Sequence, residues 1–163
     1  MILFLDASTT TVGWVLGDDV EETVIASGAI KLSGFNTEGS GWVWRVRNLE
    51  LWLSMAFFTK RPVNQVVYEI PTGNRMNMAT NRKLGAVEYV ILKACQEANI
   101  PCDGITASQV RASGVHKKAL DAAAAYKGSP LGDRLQEDEA DALGVMKAWW
   151  KFKRTGIIIT EGD

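Results

Sequence analysis

The sequence predicts an α/β fold: a five-stranded mixed sheet with a three-strand antiparallel meander, two parallel strands and helices on both faces. Two observations carry this prediction. Three short apolar segments separated by tight turns open the chain, and helix and strand patterns alternate after them. The 163 residues, 47% of them hydrophobic and 23% charged, fit one globular domain. We assign residues 1–154 to this domain and residues 155–163 to a C-terminal tail.

The meander is predicted from the first 32 residues. The apolar run MILFLD predicts a central strand that ends at Asp6, and ASTTT predicts a tight turn after it. VGWVLGDD predicts the second strand, in which Gly13 permits close backbone approach. Residues 22–32 predict the third strand. Because the connections are short, these strands are expected to pair antiparallel.

Helices and strands then alternate to the end of the domain. A Gly/Ser/Asn-rich loop over 33–41 precedes them, and Thr106 is a predicted N-cap. Helices are predicted from apolar residues that recur near period 3.6, and strands from short apolar runs. The predicted elements are a helix over 42–59, a strand over 63–70, a helix over 78–99, a strand over 100–105, a short helix over 107–113, a helix over 116–126 and a helix over 135–150.

Acidic residues stand where two of these strands end. Asp6 closes the first strand, and Glu69 closes the fourth, shortly before Pro71. Asp138 and Asp141 are three residues apart in the last helix, so their side chains share one face. Functional sites in α/β sheets lie at the carboxyl ends of strands. Each acid also has a plainer interpretation. Asp6 could cap a turn, Glu69 could be a solvated acid at a strand end, and the acids of the last helix could be favoured by the dipole at its N-terminus.

The element order is that of the ribonuclease H-like fold, in which the first and fourth strands are adjacent and parallel. Asp6 and Glu69 would then lie side by side, with Asp138 and Asp141 against both. Four converging carboxylates repel one another unless cations lie between them. Two Mg²⁺ ions, or Mn²⁺ in their place, meet that need because hard cations prefer oxygen ligands. Such a pair of ions catalyses phosphodiester hydrolysis.

Four short motifs occur in order along the chain. Together they resemble the RuvC family of Holliday-junction resolvases, and the resemblance spans most of the chain. In place of the stacking aromatic that follows the glutamate in that family, this chain has Ile70-Pro71-Thr72. The motifs are Leu5-Asp6-Ala7-Ser8-Thr9-Thr10 with Gly13-Trp14, Tyr68-Glu69-Ile70-Pro71 with Lys83-Leu84-Gly85-Ala86, Thr106 to Val110 with a lysine after it, and Asp138-Glu139-Ala140-Asp141-Ala142-Leu143.

The resemblance implies a metal-dependent endonuclease, of the compact kind typical of phages, that resolves four-way DNA junctions. It implies a homodimer that cuts two opposed strands and leaves ligatable nicks. The helix that starts at Met78 is the candidate dimer seam, by this analogy and because it carries small residues such as Gly85. The implied catalytic residues are Asp6, Glu69, Asp138 and Asp141, all four as metal ligands, with Lys118 or its neighbour Lys117 near the scissile phosphate.

Basic residues are clustered although the net charge is only −1. They concentrate in residues 74–93, 111–134 and 147–154, whereas acids concentrate in residues 1–41. A near-neutral total can hide a basic face, and separate solvated helix faces are the plainer alternative. The predicted DNA contacts are Arg75, Arg82, Lys83, Lys117 and Lys118.

Three other functions are compatible with parts of the sequence. A related nuclease acting on RNA, hybrid or flap substrates would keep the fold and change the substrate. A non-catalytic junction-binding protein would have no need for repelling acids. An actin-like ATPase is suggested by LDASTTT, but such proteins need a second, Gly-rich phosphate loop, so no nucleotide cofactor is expected.

The remaining features predict where the protein works. No signal peptide and no run of about 18 apolar residues is present, so no membrane partner is expected. Cys95 and Cys102 lack the spacing of a metal site, which fits a protein with reduced thiols. The expected location is the cytoplasm, which for a phage protein is the cytoplasm of the host. Glu137 and Glu139 are assigned to solvent or to a supporting role. Most of the six Trp residues are assigned to the core.

Overall fold

The computed structural model describes residues 1–33, 41–71, 77–112 and 137–155. Its centre is a five-stranded sheet of order β3-β2-β1-β4-β5. The pairs β1–β2 and β2–β3 are antiparallel, whereas β1–β4 and β4–β5 are parallel. The predicted fold is therefore confirmed. The strands are β1 (Ile2–Ala7), β2 (Thr11–Asp18), β3 (Thr23–Lys31), β4 (Gln65–Glu69) and β5 (Cys102–Ile105).

Within the described residues, four α-helices cover the two faces of the sheet. The first continues without a break into a π-helical segment, Leu53–Phe58. The predicted helix over 116–126 lies outside the described residues. None of the helices in the described stretches combines the length and apolar character needed to cross a bilayer. The helices are α1 (Gly41–Trp52), α2 (Met78–Glu97), α3 (Ala107–Ala112) and α4 (Glu137–Thr155).

Alternation along β1 divides the core into two clusters. Leu3 and Leu5 pack with residues of α1 and α2 on one face of the sheet. Ile2 and Phe4 pack with residues of α4 on the other face. Successive strand residues face opposite sides, and a parallel strand covered on both faces is apolar throughout. This explains why MILFLD lacks the hydrophobic alternation of an exposed strand.

The face under α1 and α2 holds an aromatic group that includes two tryptophans. The ring centroids of Trp14 and Phe57 are 5.1 Å apart, and those of Trp52 and Phe57 are 4.8 Å apart, both in edge-to-face contact. Glu50 of α1 and Lys93 of α2 form an ion pair that raises the pKa of Lys93. The prediction of core tryptophans holds for Trp14 and Trp52.

Two glycines of β2 bring α4 close to the other face of the sheet. A Cβ on Gly13 would lie 1.7 Å from the backbone oxygen of Asp138. A Cβ on Gly17 would lie 3.0 Å from Phe4 and 3.1 Å from Trp150. Gly13 pairs with Asp6 and Gly17 with Ile2, so α4 runs antiparallel to β1. The N-terminal turn of α4 therefore lies at the carboxyl end of β1.

The start of α3 is fixed by a reciprocal capping arrangement. The backbone N–H of Gln109 donates to Thr106 Oγ1 at 3.2 Å, and the backbone N–H of Thr106 donates to Gln109 Oε1 at 2.7 Å. Thr-x-x-Gln is the sequence pattern of such a capping box. The predicted N-cap at Thr106 is confirmed.

Candidate metal-binding site

Asp6 and Glu69 lie at the carboxyl ends of neighbouring parallel strands. The register pairs Leu5 with Tyr68, so Asp6 and Glu69 follow one step further along β1 and β4. Asp6 shares its face with Phe4, and Glu69 shares its face with Val67, which both pack in the α4 cluster. Both carboxylates therefore stand on the face of the sheet that α4 covers. Asp6 is half-buried, and Glu69 is only 7% exposed.

Asp138 joins this edge through its backbone. Its carbonyl oxygen lies directly over Gly13, which is the register partner of Asp6. Only a glycine leaves room for this contact, since a Cβ there would overlap the oxygen. The Asp138 carboxylate accepts a hydrogen bond from the Thr11 hydroxyl, with 2.8 Å between Oγ1 and Oδ1.

Asp141 lies one turn further along α4 and is half-buried. Its neighbours Ala140, Ala142 and Leu143 are fully or almost fully buried against the sheet. The predicted sharing of one helix region by Asp138 and Asp141 follows from their spacing on a continuous helix. The fold thus brings Asp6, Glu69 and the backbone of Asp138 to the carboxyl ends of β1 and β4, and Asp141 follows on the next turn of α4.

The side chains do not form a ready-made metal cage. Within the described residues, no three His, Cys, Asp or Glu side chains converge closely enough to hold an ion. The chemistry of the donor set nevertheless fits a hard divalent cation, because every donor is a carboxylate oxygen. The backbone placement fits too, since Asp6 adjoins Glu69 on one side and the Asp138 backbone on the other. Assignment of the four acids as ligands stays a prediction.

Glu139 follows Asp138 in α4. It is 9% exposed and accepts a short hydrogen bond from the Ser27 hydroxyl of β3. Of the two expectations for Glu139, solvent exposure is excluded, because this side chain lies buried against Ser27 of the meander. A supporting role for Glu139 stays a prediction. The side chain of Glu137 lies outside the described residues.

The basic residues separate into two groups. Arg82 is exposed and Lys83 half-buried in the first turns of α2, whereas Arg75, Lys117 and Lys118 lie outside the described residues. At the far end of α4, Lys153 pairs with Asp19 at 2.8 Å and Arg154 pairs with Glu22 at 3.0 Å. These two pairs join α4 to the β2–β3 turn. The basic cluster over 147–154 is therefore partly neutralised.

The predictions from sequence missed two hydroxyl residues of this site. The sequence predicts Thr11 at the end of a tight turn and Ser27 within a strand, with no role for either. The signal available was the density of hydroxyls in Ser8 to Thr11 next to the acid at position 6. Their acidic partners are 127 and 112 residues away in the chain, so local pattern could not identify them.

A surface pocket lies at the opposite end of the parallel strands from the acids. Its volume is about 420 Å³, and Cys95, Asn99 and Pro101 are among the residues that line it. This position is next to the start of β5, whereas the acids lie where β1 and β4 end. The pocket is therefore separate from the candidate metal-binding site.

Comparison with solved structures agrees with this architecture. The T. thermophilus RuvC in complex with a Holliday junction substrate has a TM-score of 0.67 and 19% identity, over 95% of each chain. A second T. thermophilus RuvC structure has a TM-score of 0.62 and 17% identity, over 95% of this chain and 96% of that one. The yeast mitochondrial Holliday junction resolvase Ydc2 has a TM-score of 0.61 and 13% identity, over 94% of this chain and 78% of that one.

These similarities show a shared fold. The resemblance to RuvC that the four motifs suggest is confirmed at this level. No protein-family model matches the sequence, and no curated protein matches it significantly.

Proposed function

We propose that this chain is a metal-dependent endonuclease that resolves four-way DNA junctions by paired nicks. One observation carries the proposal. Asp6 and Glu69 adjoin at the ends of parallel strands, with the Asp138 backbone seated on the glycine that pairs with Asp6. The fold is the one in which the T. thermophilus RuvC is seen with a Holliday junction substrate. Such a cluster of acids on this fold suits phosphodiester hydrolysis.

Each acid has a distinct place in the proposed site. Asp6 and Glu69 would hold Mg²⁺ from the sheet, and Asp138 and Asp141 would hold it from α4. When bound, two such ions would lower the pKa of a water nucleophile and stabilise the departing 3′ oxygen. Burial of Glu69 limits the access of bulk water to its carboxylate and so favours a ligand of opposite charge. Arg75, Arg82, Lys83, Lys117 and Lys118 are the proposed DNA contacts.

A second copy of the chain is part of the proposal, because two opposed strands must be cut. Helix α2 buries Val87, Ile91 and Ala94 against the core. Its opposite face exposes Met78 at 73% and Tyr89 at 64%. Gly85 lies between them on that face, and a Cβ there would meet nothing within 4 Å. Leu92, 40% exposed, extends the same face. A two-fold dimer through this α2 face would cover these apolar side chains.

The test is a denaturing gel of a labelled four-way junction incubated with Mg²⁺, Mn²⁺ or EDTA. Symmetric nicks with either metal and none with EDTA are expected. An RNA–DNA hybrid duplex run alongside identifies a hybrid-cutting nuclease. Absence of cutting on every branched DNA would overturn the proposal.

Two isosteric variants sharpen the test. Asp6→Asn removes a proposed ligand and should lower the cleavage rate at least about a hundredfold while junction binding survives. Asp103→Asn on β5 is the matched control, because Asp103 accepts a hydrogen bond from Gln65 at 2.6 Å and an asparagine oxygen also accepts. Its cleavage rate should equal that of the unmodified chain. Full cleavage by Asp6→Asn would exclude the proposed chemistry.

A further inference from the structure

A network of hydroxyls lies between the end of β1 and the first turn of α4. Ser8 Oγ accepts hydrogen bonds from the backbone N–H groups of Thr10 and Thr11 at 3.1 and 3.0 Å. The backbone N–H of Ser8 donates to the carbonyl oxygen of Thr11 at 2.9 Å. This turn fixes the backbone of Thr11. The Thr11 hydroxyl then donates to Asp138 Oδ1 at 2.8 Å.

The bond constrains the carboxylate of Asp138 in a useful way. A threonine on a strand has a restricted χ1, so its hydroxyl direction is largely set by the backbone. One carboxylate oxygen is held by this donor, which leaves Oδ2 to meet a cation.

We propose that Thr11 is a positioning residue, which orients Asp138 so that its carboxylate binds a divalent cation together with Asp6. This inference rests on the proposed function, because it assigns Thr11 to the same site. Thr11 acts through Asp138 and contacts no substrate. The backbone of Asp138 lies on Gly13, which is the register partner of Asp6. If the Asp138 side chain rotated away from Thr11, its carboxylate would no longer bind a cation together with Asp6.

Ser27 supplies a matched comparison on the same helix turn. The Ser27 hydroxyl also donates a hydrogen bond to an acid of α4, but that acid is Glu139, which lies under β3. Strand β3 is at the edge of the sheet, with β2 and β1 between it and β4. Loss of the Ser27 hydroxyl removes an anchor of α4 without touching a proposed ligand. The two bonds therefore separate positioning of a ligand from general support of the helix.

The experiment compares Thr11→Val, Thr11→Ser and Ser27→Ala with the unmodified chain. Valine keeps the branched shape of threonine without the hydroxyl, and serine keeps the hydroxyl. Mn²⁺ binding is measured by calorimetry without DNA, the Mg²⁺ dependence of cleavage is measured separately, and thermal unfolding is recorded for each. Thr11→Val should weaken Mn²⁺ binding and raise the half-saturating Mg²⁺ concentration about tenfold, the effect usual for an outer partner of a metal ligand. Thr11→Ser should recover most of that loss.

Ser27→Ala is expected to lower the unfolding temperature while leaving Mn²⁺ affinity unchanged. Equal Mn²⁺ affinity in Thr11→Val and the unmodified chain would overturn the inference, as would an equal loss in Ser27→Ala. The proposed function fails separately. If Thr11→Val weakens Mn²⁺ binding tenfold but the unmodified chain cuts no junction, positioning is supported and junction resolution is not. If the unmodified chain cuts junctions and Thr11→Val binds Mn²⁺ normally, only the inference is overturned.

Discussion

At the scale of single residues, Gly13 decides how close α4 can come to the sheet. The backbone of Asp138 occupies the space that a side chain at Gly13 would need. A Cβ on Gly13 would lie only 1.7 Å from the carbonyl oxygen of Asp138. The clash would be with backbone, which cannot rotate away as a flexible side chain can. Any substitution must therefore move the turn that carries two of the proposed ligands.

Gly13→Ala should destabilise the protein by about 1–3 kcal/mol, the usual cost of overpacking a well-packed interior. Gly85→Ala is the control, because a Cβ at Gly85 meets nothing within 4 Å and alanine favours a helix by about 0.5–1 kcal/mol. Urea unfolding of both variants gives the two free energies. A Gly13→Ala protein as stable as the unmodified chain would contradict the close contact.

Residue predictions from sequence succeeded where a local rule applied. Asp6 and Glu69 were located because each ends an apolar run, and Gly13 because glycine in a strand permits close approach. The choice between solvent and a supporting role for Glu139 could not be made from sequence, since its partner Ser27 is 112 residues away in the chain. Contacts over such separations are set by how α4 docks, and no local pattern encodes the docking.

At the scale of elements, α2 has two contrasting faces. One face packs Val87, Val90 and Ile91 into the core. The other carries exposed Met78, Tyr89 and Leu92. Residues at such spacings lie along one stripe of a helix. This exposed apolar stripe is the surface that the proposed two-fold dimer would cover.

Tyr89→Glu should convert the proposed dimer to a monomer. The two-fold axis brings equivalent parts of the interface together, so each dimer would receive two like charges, at a cost of several kcal/mol. The dimer dissociation constant should rise about a hundredfold or more. Sedimentation measures it, with Met55→Glu as control, since Met55 is 63% exposed on the π-helical segment instead. A Tyr89→Glu protein that stays dimeric would exclude the α2 face.

The elements themselves were largely predictable. Apolar periodicity located both long helices, and short apolar runs between turns located all five strands, each with its start within a few residues. The π-helical ending of α1 was not predicted. Its spacing of apolar residues is also that of an α-helix, so local periodicity does not distinguish the two. Trp52 and Phe57 at this ending both contact Trp14 of β2, which is distant in the chain.

At the scale of the whole molecule, charge is distributed unevenly. The net charge is −1, and acids concentrate near the start of the chain. Part of the basic charge of α4 is spent in pairs with Asp19 and Glu22 of the β2–β3 turn. These pairs are solvent-exposed and stabilise little. Their main effect is to lower the positive charge that α4 presents to DNA, so phosphate contacts are expected elsewhere.

Because the proposed DNA contacts are made to phosphates, junction binding should weaken steeply as the salt concentration rises. Arg82 should account for part of this salt dependence. Each phosphate neutralised contributes about −0.9 to the slope of log K against log salt. Arg82→Ala should make this slope shallower by about two, roughly one for each subunit of the proposed dimer, since Arg82 is exposed at the start of α2. Lys153→Ala is the control, because Lys153 is held by Asp19 at 2.8 Å, and its slope should be unchanged.

Fluorescence anisotropy of a labelled four-way junction in EDTA gives the slopes between about 50 and 200 mM NaCl. Arg82 also adjoins the proposed dimer face, so sedimentation of Arg82→Ala must accompany the titration. A shallower slope with an intact dimer assigns Arg82 to a phosphate. An unchanged slope excludes that contact, and a lost dimer places Arg82 in the α2 interface instead. The salt titration and the sedimentation together therefore distinguish a phosphate contact of Arg82 from a role of Arg82 in the α2 interface.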